Sequence, residues 1–235
     1  MSNSKLVDVK MLSPNCTKNR NHKIDTITIH CVVGQLTAYQ IGHLFLDPDY
    51  QASSNYGVGV DCKIGLYVEE NNRSWCSSSP SNDNRAITIE VASDREHPYY
   101  VHDDVLEKLI ELLVDICKRN NIPKLLWKAD KSLIGNIKKQ NMTVHRWFKN
   151  KDCPGEYLYN LHYKIAEIVN EKLEENSKIK VGDKVKVLNP VTYDGKKFKV
   201  WYNEYDVLQV KNDRVVIGIK DVITAPIHIK NIKKA

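Results

Sequence analysis

The stretch "KIDTITIHCVVG", residues 23–34, decides how the rest of this 235-residue chain is read. Ile24, Thr26 and Thr28 alternate with Asp25, Ile27 and Ile29, and β-branched side chains fill the run. That pattern fits a pleated, buried central strand, closed by Gly34. Downstream, "LTAYQIGHLFL" (36–46) predicts a short helix stopped before Asp47-Pro48. "NYGVGV" (55–60) and "KIGLYVEE" (63–70) predict two strands joined by a turn at Asp61-Cys62. "RAITIEVAS" (85–93) predicts another buried strand, entered from the polar loop "SSSPSNDN".

Helical spacing is clearest over 103–120. Leu106, Leu109, Ile110, Leu113, Ile116 and Cys117 recur at i, i+3, i+4, with Asp103 or Asp104 as the expected cap. "KLLW" (124–127) predicts a short strand, and 156–175 a last helix with Leu158, Leu161, Ile165, Ile168, Val169 and Leu173 on one face. Strands and helices interleave, so residues 1–175 read as an α/β domain. "EENSKIKVGD" (174–183) is a linker by composition. Beyond it "DKVKVL", "FKVWYNEYDVLQV", the turn "KNDR" and "VVIGI" predict a small all-β barrel of about 55 residues, giving a second domain at 176–235.

Composition narrows the possibilities. Hydrophobic residues are 42% and charged residues 27%, an ordinary globular balance. No apolar run approaches the roughly 18 residues of a membrane span, so no membrane partner is expected. "MSNSKLVDVKMLSPNC" lacks an apolar signal core, so a product that stays in the cytoplasm where it is made is expected. The six cysteines are scattered without a C-x-x-C pair, which argues against a disulfide scaffold. The net charge of +6 belongs to the tail: residues 1–177 sum to −1 and residues 178–235 to +7. A basic tail suits an anionic polymer, nucleic acid or an acidic cell-wall surface, or is simply a solvated lysine-rich face.

"TVHRWFKNKDCPG" (143–155) raises the chemical question. Pro154 suits the first position of a helix, which would make Cys153 an N-cap thiol with its pKa lowered by the helix and by Lys151. His145 precedes it on a connection long enough to fold back. His30, at the end of a strand before a glycine turn, is the best third group for a catalytic zinc site that leaves one position open. The alternative, hydrogen-bonded core histidines, stays open on spacing alone. Glu90 is the one charge inside "AITIEVAS", flanked on its own face by small Thr88 and Ala92. The competing reading places it on the solvent face of an edge strand.

Taken together, "TITIHCVVG", "SSNYGVG", "RAITIEVA" and "TVHRWFKNKDCPG" resemble the zinc-dependent N-acetylmuramoyl-L-alanine amidases of bacteriophage endolysins, which share a fold with peptidoglycan recognition proteins. The resemblance runs over residues 20–175, and His-x7-Cys-Pro-Gly is its most specific element. It implies a mixed β-sheet flanked by helices, with Zn2+ held by His30, His145 and Cys153. It further implies that Glu90 handles the proton of a zinc-activated water and that Lys151 stabilises the oxyanion. The bond cut would join N-acetylmuramic acid to L-alanine in bacterial peptidoglycan. Asn55 and Trp75 are then expected to contact substrate. The tail resembles an SH3-like cell-wall-binding domain, with Tyr193, Trp201, Tyr202 and Tyr205 as a candidate aromatic groove.

The resemblance also implies a lysin held in the host cytoplasm until a pore-forming partner releases it to the wall. Cys31 and Trp75-Cys76 depart from the usual residues of that family. A non-catalytic receptor on the same fold commonly lacks the cysteine ligand, so Cys153 argues against it. An endopeptidase on the same zinc site is not excluded. Nucleic-acid binding fits poorly with a slightly acidic first domain.

Overall fold

The computed structural model describes residues 2–235 in two compact units, one ending at Leu173 and one running from Glu174 to Ala235. The first unit begins with β1 (Val9–Lys10), β2 (Cys16–Thr17), β3 (Thr26–Cys31) and helix α1 (Ala38–Leu44). There follow β4 (Tyr56–Val58), β5 (Ile64–Leu66), β6 (Arg73–Ser74), a single helical turn α2 (Pro80–Asp83) and β7 (Ala86–Val91). Helix α3 (Asp103–Arg119), β8 (Met142–Thr143) and helix α4 (Gly155–Ser177) complete the series. Six strands form one mixed sheet in the order β1-β5-β4-β7-β3-β8, with only β4 and β5 antiparallel.

All six residues of β3 are buried, as expected of a central strand. Strand alternation sorts them. Ile27 and Ile29, with Ile87 and Ile89 of β7, join Leu109, Leu113 and Ile116 of α3 and Leu158, Ile165 and Val169 of α4 in one core. Each such side chain contributes about 1.5–3 kcal/mol by leaving water. The intervening Thr28, His30, Thr88 and Glu90 take the other face.

The threonines of that face are satisfied from within. Thr143 Oγ1 donates to Asn82 Oδ1 (2.9 Å), Asn82 Nδ2 donates to Thr28 Oγ1 (3.0 Å), and the two threonine hydroxyls meet at 2.8 Å. The closed ring ties α2 to β3 and β8. Arg20, nearly buried, donates to the carbonyls of Glu70, Asn72, Asp83, Asn84 and Ala86 at 2.7–3.0 Å.

Three local expectations are corrected. Helix α3 has His102 at its N-cap position, without a side-chain capping bond, and Asp103 and Asp104 fall in its first turn. Residues 124–127 are not a strand: the N–H of Leu125 goes to Asn170 Oδ1 and that of Leu126 to Asn141 Oδ1, so side-chain amides replace a ladder. The strand expected over 198–210 begins only at Tyr205.

The second unit is all-β. Strands β9 (Lys184–Val187), β10 (Tyr205–Lys211), β11 (Arg214–Ile219), β12 (Val222–His228) and β13 (Ile232–Lys234) form an antiparallel sheet in the order β12-β11-β10-β9-β13. Its core is Val185, Tyr205, Val207, Val215, Ile217, Ala225, Ile227 and Ile232. Tyr205 is therefore not a groove residue. It is fully buried, and its hydroxyl accepts the N–H groups of Trp201 (2.9 Å) and Tyr202 (3.3 Å) in place of strand partners.

Tyr205→Phe keeps the ring but removes that acceptor. It is expected to lower the stability of the second unit by about 1–2 kcal/mol. Thermal melts, with faster amide exchange at Trp201 and Tyr202, check it.

Candidate metal centre

Parallel register brings two histidines together. Thr28 of β3 pairs with Thr143 of β8, so two residues further along, His30 and His145 stand side by side with ring centroids 5.2 Å apart. His145 opens a 3-10 turn, His145–Trp147, whose Trp147 stacks on Trp127 at 5.1 Å. The chain then doubles back. The N–H of Arg146 donates to the Cys153 carbonyl (3.1 Å), and its guanidinium donates to the Asp152 carbonyl (2.7 Å). This closure is why the His-x7-Cys spacing works: it sets Cys153 Sγ 3.3 Å from His30 Nδ1. One nitrogen each from His30 and His145 and the sulfur of Cys153 lie within 4.8 Å of one another.

The donor set fits a zinc-sized cation. Burial first, then His145 and His162, hold the His30 imidazole well below its usual pKa, so it is neutral and able to ligate. Burial and then Lys151 lower His145. Across tetrahedral zinc a sulfur and a nitrogen lie about 3.5 Å apart, close to the observed Cys153–His30 separation. Among the described residues His30 Nε2 is buried with no hydrogen-bond partner.

The expected basis for a Cys153 thiolate is corrected. Helix α4 starts at Gly155, after a turn closed by the Gly155 N–H on the Asp152 carbonyl (2.7 Å), so Cys153 is not its N-cap. Gly155 has φ +81, which only glycine adopts easily, and its Cα faces the Tyr99 side chain, where a Cβ would come within 2.7 Å. Without a cation the Cys153 thiol is held well above its usual pKa, first by its hydrogen bond with Cys31 and then by burial. A metal would have to displace that proton.

The site opens into a cleft of about 760 Å³ whose lining includes Tyr50, Arg73, Trp75, Cys76, Ser78, Glu90, His145, Lys151 and Cys153. Glu90 sits beside His30 in the β3–β7 register, on the cleft-facing side of a central strand rather than at an edge. Burial raises its carboxyl to about 7, partly offset by the Cys76 thiol at 3.7 Å from Oε1. Lys151 is exposed on the cleft wall.

Trp75 lines the cleft, its indole N–H donating to Thr17 Oγ1 (3.0 Å). Asn55 does not reach it. Its side chain is fully buried, accepting the Thr88 N–H (3.2 Å) and donating to the Val68 carbonyl (3.1 Å), so its role is to join β4 to its neighbours. Sequence reading gave no task to Cys31, Cys76 or Ser78, which meets His145 Nε2 at 3.3 Å. In the second unit Tyr193, Trp201 and Tyr202 are exposed, Trp201 with Lys199 Nζ 4.2 Å from its ring centroid.

A family model described as N-acetylmuramoyl-L-alanine amidase matches residues 20–156. Among solved structures, a mutant endolysin from Bacillus subtilis superposes with TM-score 0.50 at 17% identity, covering 69% of this chain and 99% of its own. The catalytic domain of XlyA gives TM-score 0.50 at 16% identity, covering 68% and 97%. At such identities the likeness concerns the fold. No curated protein matches the chain.

Removing one donor tests the centre directly. Cys153→Ser or His30→Ala is expected to lower zinc affinity by more than the roughly 10–100-fold typical of outer-shell changes. Metal analysis after dialysis against buffered zinc checks this, with circular dichroism showing that the fold is kept.

Proposed function

Because the chain belongs to the N-acetylmuramoyl-L-alanine amidase family, we propose that it is a zinc-dependent peptidoglycan hydrolase. It cleaves the amide between the lactyl carbonyl of N-acetylmuramic acid and L-alanine. The observation that carries this reading is the convergence of His30, His145 and Cys153 beside Glu90 at one cleft. Zinc in that set would supply Lewis acidity, polarising the carbonyl and making a water acidic near neutral pH.

The chain's own groups supply the proton traffic. Glu90, with its carboxyl raised to about 7 by burial, suits both roles asked of it: it accepts a proton from water and later delivers one to the departing nitrogen of L-alanine. Lys151, on the cleft wall, brings positive charge to the developing oxyanion. Trp75 offers a flat apolar surface to the stem peptide.

The second unit, read as an SH3-like wall-binding domain, holds the enzyme on its substrate. Exposed Tyr193, Trp201 and Tyr202 and the +7 charge of residues 178–235 support that role. No helix among the described residues is long and apolar enough to cross a membrane. The setting that joins these features is host lysis, by a lysin made in the bacterial cytoplasm and released to the wall.

Purified peptidoglycan treated with the protein should gain N-terminal L-alanine without new reducing sugar ends, and a zinc chelator should abolish the gain. Binding to the wall with neither product would mean a receptor instead.

Glu90→Gln should lower kcat about 10²–10⁴-fold while zinc content stays unchanged. Glu90 acts as a base only when ionised, so kcat/KM should fall as pH drops through a limb at or below about 7, since a nearby cation lowers a carboxyl pKa. That limb should vanish in the variant.

A further inference from the structure

Glu90 has a neighbour with no part in the chemistry above. Cys76 Sγ lies 3.7 Å from Glu90 Oε1. Cys76, Glu90 and His30 offer a sulfur, an oxygen and a nitrogen all within 4.8 Å of one another. They come from the segment after β6, from β7 and from β3, so folding alone assembles them. Two of the three carry an unsatisfied atom: Glu90 Oε2 and His30 Nε2 are buried with no hydrogen-bond partner among the described residues, and His30 is 0% exposed. Across tetrahedral zinc a sulfur and a carboxylate oxygen lie about 3.6 Å apart. The Cys76–Glu90 pair therefore meets that spacing without rearrangement.

We propose that Cys76, Glu90 and His30 form a second cation position, overlapping the first through His30 and filled by a thiophilic divalent ion when it is in excess. Zinc and cadmium qualify; magnesium and calcium, which prefer all-oxygen sites, do not. On binding, the Cys76 thiol gives its proton to solvent as the sulfur–metal bond forms, and Glu90 contributes an oxygen. His30, already committed through one ring nitrogen to the first position, gives its remaining ring N–H proton to solvent so that the second nitrogen can ligate. A carboxylate committed to a cation no longer accepts a proton, so occupancy inhibits amide hydrolysis. That last consequence rests on the amidase reading; the binding itself does not.

The experiment is a cadmium titration of the full chain after chelator treatment, followed by the ultraviolet thiolate-to-cadmium band, in wild type, Cys76→Ser, Cys76→Ala and Cys153→Ser. Two phases are expected in wild type. Both Cys76 variants should lose the weaker phase, and Cys153→Ser the tighter one. Amidase activity in zinc should fall across the weaker phase in wild type. In the Cys76 variants, each normalised to its own maximum, inhibition should need at least tenfold more zinc.

A single wild-type phase that the Cys76 variants leave intact overturns the proposal, as does unchanged inhibition by excess zinc in those variants. If Cys153→Ser leaves the tighter phase untouched, the His30–His145–Cys153 reading fails instead. The second position is then decided by the Cys76 phase alone.

Discussion

From Thr26 opposite Ala86 to Cys31 opposite Val91, β3 and β7 run parallel in unbroken register, and this pairing sets His30 beside Glu90. A slip of one residue would send every side chain of one strand to the other face. His30 would then point into the cluster held by α3 and α4, and Ile29 would face the cleft. The isoleucines that bury against those helices make such a slip prohibitive. The hydrophobic core thus does more than stabilise the sheet: it dictates which polar groups meet on the far side. Extending the same register to β8 brings in His145.

A sheet face that carries threonines, a histidine and a glutamate is costly to bury unless each group finds a partner. Most do. The ring of Thr28, Thr143 and Asn82 closes on itself, and Thr88 shares its hydroxyl with Ser74 at 2.7 Å while Asn55 Oδ1 accepts its N–H. The exceptions, His30 Nε2 and Glu90 Oε2, sit where those satisfied groups give way to the cleft. Among the described residues Gln35 Oε1, Arg146 Nε and His162 Nε2 also lack a partner, but on this sheet face the unmatched atoms are those two, on neighbouring strands in register.

Much of this was legible beforehand because it is periodic. The alternation in "TITIH" and "ITIEV" and the helical spacing of α3 follow from which side chains must leave water, and composition reports that directly. His30, Glu90, His145 and Cys153, which the fold brings near one another, stand out in the sequence by the oddity of a polar residue in an apolar context, or by spacing. What escaped depends on contacts distant in sequence. Asn55 is a substrate contact only by the family resemblance, and its amide is consumed by Thr88 and Val68. Tyr205 looks like its exposed neighbours Trp201 and Tyr202, and only the pairing of β10 with β9 and β11 shows it facing inward. The Cys153 thiol was expected to be acidified by a helix, whereas the helix starts later and a neighbouring thiol dominates.

Arg20 is not among the residues lining the cleft, yet it has the last word on the cleft's wall. Its planar fork grips carbonyls at Glu70 and Asn72 on one side and at Asp83, Asn84 and Ala86 on the other, bracketing the segment that carries Trp75, Cys76, Ser78 and Ser79. A lysine, with one compact ammonium, could not span that set. Every residue type supplies a carbonyl, so this anchor is blind to the side chains it holds in place. Side chains along the wall can therefore change without loosening the grip that fixes the path of its backbone.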